Sequence, residues 1–315
     1  GDPDILKIAG VPLVAASPGV GGRLRRPPDD SLLVPQLPQT GRNPRRALVY
    51  NRMGSPEELN RVNNPMLGWN GQEVQGRARP SDAEVAALGP AFVEAWNRDF
   101  EGQPNKPVAV FTAMAGFPGD PSLATGDPGL AMSVFTVYPL SRGHVHITGP
   151  KLDDPLDFEA GMLSDDVDVK KHLWMYEKQR EVMRRMGCYR GEMAACHPPF
   201  AADSAARCVR FNEGVQGLAV DGKDIEHTAE DDQVIQRWIR ENVGSGWHPL
   251  DACKMLPREQ NGVVDAASLG VYGVGRLKVA DMSIVPRNVT ANTNNTALAI
   301  GEKAADIFIK ELSSV

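Results

Sequence analysis

The amino-acid sequence predicts an α+β fold, an antiparallel sheet with helices packed on it. Three observations carry this. Residues 108–117 and 132–138 are apolar runs of strand length, and the turn Ser141-Arg142-Gly143 leads into the alternating His144-Val145-His146-Ile147-Thr148. Two later segments repeat apolar side chains at helical spacing: Val169, Leu173, Tyr176, Met183 and Met186, then Ile235, Trp238 and Ile239. The Rossmann unit is absent: no βαβ segment carries GxGxxG. Paired strands followed by helices place the chain among sheets covered by helices.

Taken in order, the first forty residues read as a short helix, a strand at 11–16 stopped by Pro18-Gly19, and a proline-rich irregular stretch to about Asn43. Residues 64–80 are also loop-like. Ser81-Asp82-Ala83-Glu84 is a capping-box pattern that opens a helix with Val85, Leu88, Phe92 and Trp96 on one face, interrupted at Gly89-Pro90. Ser164 is the expected N-cap of the long central helix, with Asp165 and Asp166 suited to its positive end and Gly187 as its stop. Thr228 with Asp231 three residues on opens the next helix, and a last one runs over 296–312. The domain expectation is an irregular segment at 1–45, a substrate-binding-type α+β region at 46–245, and a carboxyl-terminal segment at 246–315. No internal repeat is present.

The 315 residues are 42% hydrophobic and 23% charged, enough to bury a large core. A net charge of −6 argues against nucleic acid or an anionic membrane as the main partner, and the five-residue Arg23-Leu24-Arg25-Arg26-Pro27 is too short to change that. No apolar run has membrane-spanning length. The four cysteines form no CxxC pair, so they read as buried or idle thiols in a reducing compartment. The localisation expected is intracellular, in the cytoplasm, with a peroxisome as the alternative. The chain does not begin with methionine and shows no signal peptide; its start reads as an artificial boundary or a processing site.

Among the motifs, Pro18-Gly19-Val20-Gly21-Gly22-Arg23-Leu24 fails as a dinucleotide loop. Its third glycine would fall at Leu24 and no helix follows, so it reads as a turn. His144 and His146 share one strand face but lack a third metal ligand, so no metal site is expected. His172 and His227 read as surface residues, and His197, before Pro198, as a loop histidine. His248 stands apart. Pro249 keeps it out of a continuing helix, and Asp251 offers a carboxylate three residues on. An imidazole held in this way suits general base or acid chemistry near neutral pH. The stretch from Asn288 to Thr296 holds four asparagines and three threonines, more than capping by Thr293 or Asn295 explains.

At Gly246-Trp247-His248-Pro249-Leu250-Asp251-Ala252-Cys253-Lys254-Met255, "GVVDAASLGVYGVGRLKVADMSIVP" and "NVTANTNNTALAIGEKAADIFIKEL", the chain resembles the carboxyl-terminal half of the glucose–methanol–choline (GMC) oxidoreductases. "YPLSRGHVHITGP", "WMYEKQREVMRRM" and "GEMAACHPPF" are similar to the alcohol (methanol) oxidase branch. The resemblance implies that His248 takes the hydroxyl proton of an alcohol and that Asn292 holds the substrate oxygen. It also implies that Asp281 and Met282 lie against a flavin, if FAD is present. Trp247, His197 and Asn294 are pocket candidates. Two departures stand out: the family's Gln-Asp-His after "PGVG" is Leu24-Arg25-Arg26 here, and its Gly-Thr is Asp251-Ala252. The family's cofactor-binding half is expected to be missing from this chain.

Two enzyme classes follow from the resemblance. In the first, the chain is a flavin-independent, redox-neutral catalyst. It would use His248 with Asn292 and Asp251 to cyclise, isomerise, eliminate from or join small hydrophobic oxygenated natural-product intermediates, with no cofactor in the isolated chain. In the second, it is an FAD-dependent alcohol oxidase or dehydrogenase whose cofactor half lies on another chain or outside this sequence. A folded binding remnant without catalysis is a third reading. The partners expected are a small-molecule substrate and either a second copy of this chain or a complementary FAD-binding chain.

Overall fold

The structure is a computed structural model and describes residues 1–25, 28–35, 56–64, 74–115, 129–210 and 214–313. Its elements in chain order are α1 (Pro3–Ile8), β1 (Pro28–Pro35), α2 (Pro56–Arg61), β2 (Val74–Ala78), α3 (Asp82–Ala87), α4 (Pro90–Asp99), β3 (Ala109–Ala115) and β4 (Gly129–Thr136). There follow β5 (His144–Ile147), β6 (Leu156–Glu159), α5 (Asp166–Arg184), α6 (Ala229–Asn242), β7 (Gly244–Ser245) and α7 (Asn294–Leu312). The chain divides into two compact units. A terminal unit comprises Gly1–Pro28, Val137–Asp168 and Ser245–Val315; a sheet unit comprises Asp29–Thr136 and Val169–Gly244. Residues 137–168, expected within the 46–245 region, therefore group with the two chain ends.

The sheet unit is built on strands ordered β2-β3-β4-β1-β7, antiparallel wherever β1 to β4 pair. Phe111 stands opposite Val134 and Ala113 opposite Met132. Strand alternation sends Ala113, Leu130 and Met132 to one face, where they pack with Met183 and Tyr189, while Ala131 packs with Cys196. The α+β expectation therefore holds. Both capping boxes form: Ser81 with Glu84 at α3, and Thr228 with Asp231 at α6. Gly89, at φ 95°, and Pro90 divide α3 from α4, because the glycine takes a left-handed turn and the proline then starts a new helix at its first position.

Several local expectations are corrected. Residues 11–16 form a loop, not a strand; Val14 there is exposed. Residues 28–35 are strand β1, although prolines flank the run, because both sit at strand ends where a missing N–H is tolerated. Residues 36–43 lie outside the described residues, as do 65–73; 74–78, expected as loop, is β2. The central helix starts at Asp166, and Asp165 rather than Ser164 accepts its Val167 N–H at 2.9 Å. His172 is fully buried and His227 half-buried.

The terminal unit joins the β5–β6 hairpin, α1 and α7. Its core is Val263, Val264, Leu269, Ile284 and Ala304, with Ile300 and Phe308 of α7 packed against it. Arg25 and Leu250 exchange both backbone hydrogen bonds, at 3.0 and 3.1 Å, which ties the early loop to the segment that carries His248.

Candidate active site

The segment entering His248 turns sharply. Trp247 has φ 54°, a left-handed value, and Pro249 follows. The imidazole is half-buried and both ring nitrogens are engaged. Nδ1 lies 2.8 Å from Thr293 Oγ1, and Nε2 lies 2.9 Å from Asn292 Nδ2. An amide nitrogen can only donate, so Nε2 is the acceptor. The ring proton then sits on Nδ1 and is donated to Thr293. The tautomer is thus set by two neighbouring residues at the start of α7. Burial lowers the His248 pKa below its ordinary 6.5, so the ring is neutral at pH 7 with its Nε2 lone pair available.

Thr293 occupies the N-cap of α7, yet its side chain makes no cap hydrogen bond. A threonine cap ordinarily contributes about 1 kcal/mol to a helix. Here that contribution is given up and the hydroxyl is turned to the imidazole. Position alone assigns Thr293 to capping; the surplus of asparagine and threonine between 288 and 296 is the signal for another role. Asn294 is exposed on the first turn of α7, and the two nitrogens of the His248 ring are taken by Asn292 and Thr293 instead.

Asp251 is not the partner of His248. It is 2% exposed, has φ 75°, and its Oδ2 accepts from Arg25 Nε at 2.8 Å. Its Oδ1 is buried without a partner. Burial raises the Asp251 pKa, with Arg25 opposing the shift. The two departures from the family pattern, at 25 and at 251, therefore meet as one ion pair, and the carboxylate's charge is balanced inside the protein. Arg25→Met should destabilise the fold by on the order of 2 kcal/mol, less than a wholly buried pair because Arg25 is partly exposed. Arg25→Met with Asp251→Gly should recover most of that loss. Thermal melts of the two variants decide it: equal losses would mean that the pair is not coupled.

The other expected site residues fall elsewhere. Trp247 is 80% exposed. Asp281 is exposed and caps the turn Met282–Ile284, accepting from Ser283 N at 2.8 Å, with Met282 half-buried. His197 is buried in the sheet unit, its Nδ1 3.0 Å from the Tyr176 hydroxyl. His144 and His146 stack at 5.2 Å, and His144 Nε2 lies 3.0 Å from Asp157. Among the described residues no group of three or more His, Cys, Asp or Glu is placed to hold a metal ion. Nor is any described helix long and apolar enough to cross a membrane.

These features define a mixed helix–sheet protein with a histidine–asparagine pair at the entry to its last helix. The GMC oxidoreductase family model matches residues 139–301, a little over half of the chain. The chain belongs to that family. It is 36% identical to an alcohol oxidase of Candida boidinii over 78% of this chain and 43% of the relative. Its fold is shared with formate oxidase of Aspergillus oryzae, at TM-score 0.71, 18% identity and coverage of 99% and 51% of the two chains. It is also shared with an FAD-dependent oxidoreductase of Chaetomium thermophilum, at TM-score 0.66, 20% identity and coverage of 98% and 52%. The chain thus spans about half the length of the relatives it matches.

The family implies a flavin dinucleotide, and the glycine-rich turn is the place to look for room for its diphosphate. A Cβ on Gly19 would lie 2.1 Å from Asn261 O, and one on Gly21 2.0 Å from Val145 O. The Gly21 N–H is donated to Ala252 O at 2.8 Å. The glycines make room for the chain's own backbone, and the Gly21 donor is spent on it. The turn does not fit a diphosphate, which needs open N–H groups and a helix N-terminus.

Proposed function

We propose that His248 and Asn292 form the proton-accepting site of a GMC alcohol oxidoreductase. One observation carries this reading: His248 Nδ1 meets the Thr293 hydroxyl at 2.8 Å and Nε2 meets the Asn292 amide nitrogen at 2.9 Å, an arrangement that suits a neutral ring with its proton on Nδ1, and burial lowers the ring's pKa. A substrate hydroxyl entering between Nε2 and the amide would donate its proton to Nε2. Its oxygen would accept from Asn292 Nδ2 as negative charge builds up. Both groups gain strength in the transition state, which is what acceleration requires. This reading needs an electron acceptor. A cofactor-binding chain or segment is the partner this reading calls for, in the cytoplasm or a peroxisome, and small alcohols are the substrate class.

A second reading uses the same pair without electron transfer, on a hydrophobic oxygenated intermediate that is cyclised, isomerised or dehydrated. The self-filled glycine turn is compatible with both readings, since the cofactor-binding half is expected elsewhere. The visible spectrum of the purified protein separates the two. The yellow of oxidised flavin, bleached anaerobically by a short primary alcohol, supports the oxidoreductase. A colourless protein that turns over such an intermediate, and loses turnover in His248→Gln, supports the redox-neutral enzyme. Turnover unchanged in His248→Gln would sink both and leave a binding remnant.

A further inference from the structure

The loop that carries Asp251 gathers an excess of positive charge within the terminal unit. Leu24 and Gly143 exchange both backbone hydrogen bonds, at 3.0 and 2.9 Å, as Arg25 and Leu250 do. Three chain segments therefore run side by side. They bring Arg23, Arg25, Arg142, Lys254 and Asp251 into one electrostatic cluster. The carboxylates that oppose its four cations are Asp251 and Asp168. Asp251 is spent on Arg25, and Asp168 accepts from Leu140 N and Ser141 N at 2.8 and 2.7 Å. The surplus is positive, so the cluster favours an anion.

Two side chains narrow the chemistry. Lys254 is 4% exposed, yet its ammonium makes no ion pair or hydrogen bond among the described residues. A buried charge without a partner costs free energy, and an incoming anion removes that cost. Arg142 is half-buried and spends Nη1 on the carbonyls of Pro139, Leu140 and Ser141, at 2.7, 2.7 and 2.8 Å, while its Nη2 donates to nothing among the described residues. Burial lowers the Lys254 pKa; Asp251 opposes the shift, and Arg23, Arg25 and Arg142 add to it. Burial, and then Arg25, pushes Arg142 down to about 10. Both groups are short of negative charge. Arg23 is exposed and Arg25 half-buried, so the cluster opens to solvent. A guanidinium and an ammonium together suit the oxygens of a compact oxyanion, and four cations against two carboxylates match a dianion. We propose that Arg23, Arg142 and Lys254 bind a phosphate group, free or as a small ester, beside the Arg25–Asp251 pair.

Thermal melts of the full chain in rising phosphate, with chloride holding the ionic strength constant, test this. Inorganic phosphate should raise Tm saturably at pH 7.5, and acetate, with one charge, should need a roughly tenfold higher concentration. Lys254→Met should lose the phosphate response. Without phosphate it should melt no lower than the wild type, because it removes a buried charge that has no partner. That second measurement separates loss of the site from loss of the fold. Arg23→Gln, at the exposed edge, should weaken the response severalfold. His248→Gln should keep it, which excludes the candidate active site as its location. Glycerol 2-phosphate acting as strongly as phosphate assigns the site to phosphate esters, and phosphate acting alone assigns it to the free ion. A phosphate response no larger than that of chloride, or one that survives both Lys254→Met and Arg23→Gln, overturns the proposal. So does a Lys254→Met protein that melts well below the wild type without phosphate, since the ammonium would then have a partner within the fold.

Discussion

His248→Gln is expected to lower kcat/KM for the preferred alcohol by roughly 10²–10⁴-fold, the usual contribution of one positioned proton acceptor. Glutamine keeps the volume and a hydrogen bond to Asn292 but cannot take a proton. Thr293→Val should act more mildly, by roughly tenfold, because it removes the acceptor that keeps the ring proton on Nδ1. The two variants should differ in kind. In His248→Gln the acidic limb of the pH profile disappears. In Thr293→Val it survives but shifts, because the ring still titrates. The sign follows from geometry: protonation of Nε2 removes the base, so activity falls as pH drops through the His248 pKa, which burial places below 6.5. Nitrogen-15 NMR of the histidine ring gives a readout independent of turnover. It should show the Nδ1–H tautomer at pH 7 in the wild type and a mixture in Thr293→Val. An Nε2–H tautomer in the wild type would reverse the Asn292 amide and remove the base from the mechanism.

The parts of the fold legible in the sequence are those set by neighbours in the chain. Ser81 with Glu84 and Thr228 with Asp231 are three residues apart, so their reciprocal caps are written in local spacing. Residues 108–117 and 132–138 are apolar enough to be read as strands; the structure has them at 109–115 and 129–136, paired antiparallel as expected. His248 is legible because tryptophan and proline on either side leave the ring neither a helix nor an obvious packing role. Its partners are not. Thr293 stands at a helix start, where capping chemistry explains a threonine by itself, and nothing local says that its hydroxyl turns away. Asp251 looks like a partner because it is three residues distant. Yet at φ 75° its side chain leaves the direction of His248 and meets Arg25, 226 residues away in sequence.

The central helix departs from expectation in a different way. Its apolar positions predict one buried face and one solvated face. In the structure Lys171, His172, Gln179 and Arg180 are buried as completely as Met175 and Tyr176. Amphipathic spacing detects the apolar stripe only, and it cannot show that the polar side of a helix is enclosed as well. Such burial costs free energy where a polar group finds no partner, as at the Gln179 amide, whose Nε2 and Oε1 have none among the described residues; Arg180 shows the opposite case.

Arg180 and Glu192, 1% and 0% exposed, form a two-pronged bridge: Nε to Oε1 at 2.6 Å and Nη2 to Oε2 at 2.8 Å. Arg180 also donates to Ala206 O at 2.6 Å and Arg207 O at 3.2 Å, and Glu192 Oε2 accepts from Val209 N at 3.0 Å. Almost every donor and lone pair is matched, and the pair ties α5 to the loop at 204–210. Glu192→Ala should therefore cost about 3–5 kcal/mol in urea unfolding at pH 7, because it strands a buried guanidinium. Glu192→Gln, which keeps an acceptor but loses the charge, should cost less. Arg180→Met with Glu192→Leu should cost least of the three, since no charge is left unpaired. Burial pushes the Glu192 pKa up, but the Arg180 hydrogen bond and charge outweigh it and hold the carboxyl below its ordinary 4.5. A depressed folded value means that the stabilisation is complete above pH 4.5 and is lost as pH falls through the folded pKa. Wild type and Glu192→Ala should therefore converge in stability under acid. A gap that stayed constant down to pH 2 would assign the cost to lost packing and not to the bridge, and so would a double variant no more stable than Glu192→Ala.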